Sequence, residues 1–420
     1  VRGRHCRYYV DLLIQREDDF LGRGMLQARD ELRQDAENVR AAVRWASLHW
    51  DTQPARRMLI ALLSFYVVQG WYEGADVFAD IARVRGETLP ADSISDPSTD
   101  PIIVSARAHQ AFLQTNLGQI DESETVSKAC LGALEELGFQ EELSECLHNM
   151  GVNASFRGRY EQAQELLEEA ILLGRECGHP MWPTYLLWLG HVYFLLGEYE
   201  RGLLTLRKSY DLFDQHGTLW GTAFALSKMG LASDGLGDHS QAMAYHREGL
   251  SVFERMDNRA GKGYCLSRMG MSATFLEDYA GAMRLGQEGY QVFEEIGHRW
   301  GLCTSLCGMG FAQIGLGRIE DAKNCFEEAL QEAKEDRMLP LTLYALAGLA
   351  CILMQVGERE SALEVFRYVR DHPQIPTIYL AMARRWLGDL DPATMRRHGG
   401  VGGAEQSMDA VEELLARALG

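Results

Sequence analysis

The sequence predicts an all-α solenoid of about eight antiparallel helix pairs with a period of ~40 residues. Three observations carry that expectation. One phrase recurs along the chain, the apolar residues inside each copy stand at helical spacing, and small residues recur where two helices would cross.

The phrase "LSKMGLASDGLGDHSQAM" begins at Leu226 and returns as "LSRMGMSATFLEDYAGAM" at Leu266. Its L-x-x-M-G signature, or a close variant, occupies Leu147–Gly151, Leu186–Gly190, Leu226–Gly230, Leu266–Gly270, Leu306–Gly310 and Leu346–Ala350. The rungs are 39 or 40 residues apart. A turn residue follows each at Gly158, Gly197, Gly237, Glu277, Gly317 and Gly357, and a second small residue at Ala163, Gly202, Ala242, Ala282, Ala322 and Ala362. Weaker copies extend upstream around Gly118 and around Gly70, Tyr72, Ala75 and Ala82.

Each unit reads as two helices. Leu266, Met269, Gly270 and Ala273 fall on one face of the first, and Ala282, Leu285, Gly289 and Phe293 form a stripe on the second. The short turn between them makes the pair antiparallel. Glycine costs a helix ~1 kcal/mol against alanine, so Gly270 facing Ala282 implies close helix approach. Pro183 and Pro340 stand where first helices start, where a missing N–H does no harm. One pair cannot cover its own apolar face, so stacking supplies the core.

The flanks divide the chain into 1–50, a helical N-terminal arm, 51–370, the repeat array, and 371–420, C-terminal capping helices. The arm reads as two amphipathic helices, one presenting Tyr8, Tyr9, Leu12 and Leu13, the other Val39, Ala42, Val43 and Trp45. "GETLPADSISDPSTDP" at 86–101 is nearly devoid of apolar residues and reads as a loop. Pro373 and Pro376 end the regular period, 396–407 reads as a glycine-rich link, and 408–420 as a closing helix.

This pattern resembles the tetratricopeptide repeat (TPR) in a long variant, which implies a right-handed superhelix. Glu277 departs from it where glycine is usual, and Arg359 where tyrosine is usual. "ELRQDAENVRAAVRWAS" at 31–47, through Asn38, Arg40, Ala41, Ala42, Trp45 and Ala46, resembles the segment after the winged helix of bacterial STAND-class signal-transduction ATPases. The tail from Asp391 resembles the closing helix of the same proteins. The resemblance implies a TPR sensor whose ATP-binding module and winged helix precede it, and the first residue, Val1, fits a piece of a longer chain. On that reading ATP is expected in the preceding part and no cofactor in this one. The alternatives are a constitutive TPR scaffold and a pheromone-type peptide receptor without an ATPase.

Of 420 residues, 41 are basic and 60 acidic, a net charge of −19, and 46% are hydrophobic. The acidic balance argues against nucleic acid or anionic membrane as partners of this domain. No apolar run approaches the ~20 residues that cross a bilayer. The nine scattered cysteines, of which Cys303 and Cys307 are the nearest pair, suggest buried thiols in the cytoplasm rather than disulfides or metal.

Catalytic signatures are missing, so no enzyme activity is expected of this chain. Gly261-Lys262 lacks the spacing and the Ser or Thr of a phosphate loop. His179, His216 and His298 precede successive first helices and read as turn or capping residues rather than metal ligands; Trp182, Trp220 and Trp300 beside them read as packing. The acidic runs at 135–145 and 161–170 read as solvated helix faces.

In a TPR superhelix first helices line the concave surface. Ser267, Arg268, Met271, Thr274 and Phe275 are expected towards that groove or its rim. The row holding Lys228 and Arg268 continues to Asn149, Trp188, Gly308 and Gly348; the last two would leave room for something bulky. Neighbouring rows contribute Phe224 and Tyr264 on one side and His191 and Met271 on the other. Cations among aromatics suit an effector with apolar and anionic parts, such as a peptide, a protein segment or a small acidic metabolite. The competing expectation pairs Lys228 and Arg268 with Asp234 or Glu277.

Overall fold

A computed structural model describes residues 2–69, 71–89, 97–335, 338–387 and 408–419. All regular structure among them is helical. The chain divides into two compact units, Val1–Leu189 with Lys208–Thr222, and Gly190–Arg207 with Ala223–Gly420.

The first unit opens with α1 (Arg2–Gln15), α2 (Glu17–Phe20), α3 (Met25–Gln34) and α4 (Ala36–His49). The arm is therefore four helices rather than two, because "LGRG" at 21–24 breaks the chain after Phe20 and the run splits again at Asp35. The buried stripe of α1 is Cys6, Val10 and Leu13, at i, i+4 and i+7, and this phase leaves Tyr8 61% exposed. Val39, Ala42 and Val43 are buried as expected, while Trp45 is half-buried and stacks on His49. Next come α5 (Thr52–Gln69), α6 (Trp71–Thr88), α7 (Pro101–Asn116), α8 (Ile120–Leu137), α9 (Gln140–Phe156) and α10 (Tyr160–Cys177). The expected loop at 86–101 is shorter, since α6 runs to Thr88 and Pro97–Thr99 forms a 3-10 turn; 90–96 lie outside the described residues, as do Gly70 and the link at 396–407. Asp100 caps α7 by accepting from the amides of Ile102 and Ile103, with Pro101 in the first turn.

Not every carboxylate at 135–145 is solvated. Glu142 and Glu145 are fully buried, because α5 and α7 bring them cations and donors. The Arg56 Nε donates to the Glu142 Oε1 at 2.8 Å, and the Ser105 hydroxyl donates to the same oxygen at 2.7 Å. His109 lies 3.1 Å from both oxygens of Glu145, and His179 lies 3.6 Å from one of them. Burial alone would raise the Glu145 pKa, yet His109 and His179 hold it down to about 2. His179 also takes the Met181 amide at 3.2 Å, the turn role expected of it.

His148 is stacked on Tyr185 at 4.7 Å and tilted against Phe112 at 5.5 Å. Burial pushes its pKa down to about 4, with the Asn149 side chain and Glu145 opposing. The imidazole is neutral in the fold and has an ordinary value of 6.5 when unfolded, so its contribution is full above pH 6.5 and is lost as pH falls towards 4. The gap corresponds to about 3 kcal/mol. His109 works in the opposite sense, raised beside Glu145, so its contribution fades as pH rises. Thermal melts at pH 7 and pH 4.5 are expected to show a large acid-induced drop for the wild type and a clearly smaller one for His148→Phe. Equal drops would remove His148 as the sensitive group.

The two units share α11 (Trp182–Leu196) and α12 (Tyr199–His216). The second unit continues through α13 (Leu219–Gly235), α14 (His239–Arg255), α15 (Arg259–Phe275), α16 (Tyr279–Ile296), α17 (Arg299–Gly315), α18 (Ile319–Glu335), α19 (Leu339–Gln355) and α20 (Arg359–Asp371). From α11 to α19 each odd-numbered helix is the first of a pair. Asp238, Asn258, Asp278 and His298 cap successive helices by accepting from backbone amides. Gly261-Lys262 is simply the capped first turn of α15.

The small residues stand where helices nearly touch. A Cβ on Gly270 would lie 3.2 Å from the Ala282 carbonyl oxygen, and one on Gly230 2.4 Å from the His246 ring. The turn after each first helix needs a left-handed residue: Gly237 has φ +82, and Glu277 adopts φ +66 in its place. The chain closes with two further helices, α21 (Thr377–Arg384) and α22 (Met408–Leu419). The latter lies against α18 and α20, through the Lys334–Glu412 ion pair at 2.6 Å and Tyr368 beside Met408.

Candidate functional site

The basic side chains that the repeat places in register are brought together in the second unit. His191, Lys228 and Arg268 come from α11, α13 and α15, and all three are half-buried on the face that the first helices share. Their closeness is visible in their proton affinities. Burial, then the charges of Lys228 and Arg268, keep His191 well below the usual imidazole range. Burial, then Arg268, push Lys228 down to about 7. A weakly held proton on a desolvated ammonium is a site that an arriving anion would recharge.

The carboxylates offered by the sequence as counterions are engaged elsewhere. Asp234 is buried between repeats, accepting from Ser272 Oγ at 2.7 Å and lying 2.9 Å from the His239 Nδ1. Burial would raise its pKa, but His239, His246 and Ser272 hold it below the ordinary value. Glu277 pairs with Arg385 at 2.5 Å.

Aromatic rings flank the cations. Tyr264 meets Phe293 edge-on at 5.2 Å, and its hydroxyl is 3.2 Å from the His298 Nε2. Phe224 meets Phe253 edge-on at 5.0 Å. Both rings are half-buried and rest on the second helix of their own pair. Tyr344 on α19 is buried beside Phe311 at 5.5 Å.

Other residues of the expected row lie elsewhere. Met271 is 3% exposed and belongs to the apolar core of the unit. Ser267 and Thr274 are inter-helix residues: the Ser267 hydroxyl pairs with Ser305 at 2.6 Å, and the Thr274 hydroxyl donates to its own helix at Gly270. Asn149 and Trp188 belong to the first unit, Asn149 fully buried against His148 and Trp188 half-buried beside Phe156. The room expected at Gly348 is occupied, since a Cβ there would lie 2.2 Å from the Phe326 ring; at Gly308 it would meet nothing within 4 Å.

The helix α21 falls within the capping helices expected at 371–420, but its packing against the first helices was not anticipated. Its Tyr379 is 5% exposed and stacks on Tyr344 with ring centres 3.8 Å apart; burial raises its pKa while the nearby Arg268 charge opposes the rise. The available signal was the amphipathic stretch "TIYLAMARRWL" directly after Pro376. Among the described residues no group of three or more His, Cys, Asp or Glu is arranged to hold a metal, and no helix is long and apolar enough to cross a membrane.

Comparisons with known proteins agree with this architecture. Residues 149–216 and 304–336 match sequence models of the tetratricopeptide repeat. No curated protein matches the sequence. Among solved structures, a Rap protein complexed with competence and sporulation factor superposes with a TM-score of 0.61 at 14% identity, covering 91% of this chain and 99% of that one. The Rap conjugation gene regulator of plasmid pLS20, solved with the Phr* peptide, gives 0.54 at 11% identity over 93% and 98%. A STAND protein with a tetratricopeptide repeat sensor from Pyrococcus horikoshii gives 0.53 at 13% identity over 82% of this chain and 50% of its own length. At such identities the likeness is one of fold. The chain carries tetratricopeptide repeats and folds as a tetratricopeptide-repeat solenoid.

Proposed function

We propose that this chain is a non-enzymatic sensor that binds an acidic peptide or protein segment on the first-helix face of its second unit. The observation carrying the proposal is the juxtaposition of His191, Lys228 and Arg268 with Tyr264 and Tyr344. Cations half-removed from water bind carboxylates more strongly than exposed ones do, and the rings accept apolar side chains. Two of the structural relatives, the Rap protein and the pLS20 regulator, were solved with a bound factor or peptide, and both match this chain almost end to end. They favour a peptide receptor. The resemblance of 31–47 to STAND proteins and the likeness to the Pyrococcus sensor favour the same groove serving an ATPase. In that case ATP belongs to a separate nucleotide-binding module, and ligand must bind its two arrangements unequally to switch it. A phosphate-loop motif encoded upstream of Val1 would separate the two.

The groove itself is tested with labelled peptide pools of acidic, neutral and basic composition. The acidic pool is expected to bind, and Lys228→Glu with Arg268→Glu to weaken it roughly 10- to 100-fold, the loss of one charge-assisted contact or more. Indifference of the wild type to peptide charge, or undiminished binding by the folded double variant, would count against the site.

A further inference from the structure

The helix α21 does not continue the stack. In a solenoid each repeat touches only its neighbours, and α21 does adjoin α19 in the preceding pair, where the Cys351 thiol lies 3.4 Å from the Ala383 carbonyl oxygen. Yet it also reaches far back. Thr377 Oγ1 lies 3.3 Å from where a Cβ would stand on Gly197, at the turn after α11. The Arg385 guanidinium donates to the Phe275 carbonyl oxygen at 2.8 Å and to Glu277, at the turn after α15. Trp386 packs 5.8 Å from Tyr279. Between these ends, Ile378, Tyr379, Leu380, Met382 and Ala383 are buried in one core with Phe194, Leu231, Met271 and Tyr344. An eight-residue helix is ~12 Å long, so this one lies across the first helices instead of beside the last of them.

We propose that residues 376–387 are the resting occupant of the cationic face, a tethered competitor that an external acidic ligand must displace. The inference rests on the groove reading above and adds what fills the groove before ligand arrives. The segment offers Arg268 a neutral phenol, and its own charges, Arg384 and Arg385, are cations. A ligand carboxylate would make the stronger, charge-assisted bond there. Release uncovers Ile378, Tyr379, Leu380 and Met382, so the ligand's apolar side chains must take their place; once undocked, a helix this short is marginal, and Pro373 and Pro376 separate it from the helical run of α20. While it remains docked, the tether holds it at an effective concentration that a free ligand has to outcompete.

The geometry offers a lock. A Cβ on Gly197 would lie 3.8 Å from the Thr377 Cβ, the separation found in disulfides. In the full chain carrying Gly197→Cys and Thr377→Cys, oxidation by copper–phenanthroline is expected to abolish binding of the acidic peptide pool, and reduction to restore it. The opposite variant, Tyr379→Ala, loosens the occupant and is expected to bind the pool at least ~10-fold more tightly than wild type, the effect of removing a competitor present above its own dissociation constant. Circular dichroism checks that both variants keep wild-type helicity. Equal binding by the locked and reduced forms, or by Tyr379→Ala and wild type, overturns the proposal while leaving the groove in place. Failure of the pool to bind wild type, the reduced form and Tyr379→Ala alike overturns the groove reading itself.

Discussion

Truncating Arg56 to alanine is expected to destabilise the first unit by roughly 3–5 kcal/mol, the cost of stranding a buried charge. Its partner Glu142 is fully buried, and the guanidinium both pairs with that carboxylate and lies 3.6 Å over the Phe139 ring. Burial raises the Glu142 pKa and Arg56 leads the groups that hold it down, with His109 and Ser105, so losing Arg56 leaves a buried carboxylate without its main partner. Replacing both partners, with Arg56→Met and Glu142→Leu, is expected to recover most of the loss, because the stranded charge then disappears. Urea unfolding of the two variants and wild type provides the measurement. An Arg56→Ala variant as stable as wild type would mean that water or another cation reaches Glu142.

Phe326→Ala is expected to cost about 3–5 kcal/mol in the second unit, the range for a large ring deleted from a packed core. The ring is fully buried and meets Phe311 edge-on at 5.0 Å. It also fills the space left by two missing side chains, because a Cβ on Gly310 or Gly348 would lie 2.6 or 2.2 Å from it. No neighbouring side chain can swing in from those glycines, so the cavity cannot collapse. Thermal melting with an apolar probe such as benzene distinguishes a cavity from a general loosening: added benzene should raise the melting temperature of Phe326→Ala and leave wild type unmoved.

The repeat was legible because it is written in short-range spacing. Leu266, Met269, Gly270 and Ala273 report a helix face by their intervals alone, and Gly237 reports a turn by the conformation it permits. The same regularity located His191, Lys228 and Arg268 on successive first helices. It went astray where a position's environment depends on what packs over it. Glu142 and Glu145 look like any exposed glutamates until α5 and α7 supply Arg56, Ser105 and His109. Met271 and Gly348 look like groove positions until the core and the Phe326 ring claim them.

By itself, then, the sequence determined the helix pairs, their turns and the row of cations, since all three depend on residues within about one period of each other. Only the tertiary structure decided where the helix α21 packs. The contact of Thr377 with Gly197, or of Arg385 with Glu277, joins segments more than a hundred residues apart that share no periodic mark. Such contacts form because a short apolar helix finds a buried surface already built by the stack, and surface complementarity of that kind is a property of the folded array rather than of any stretch of chain.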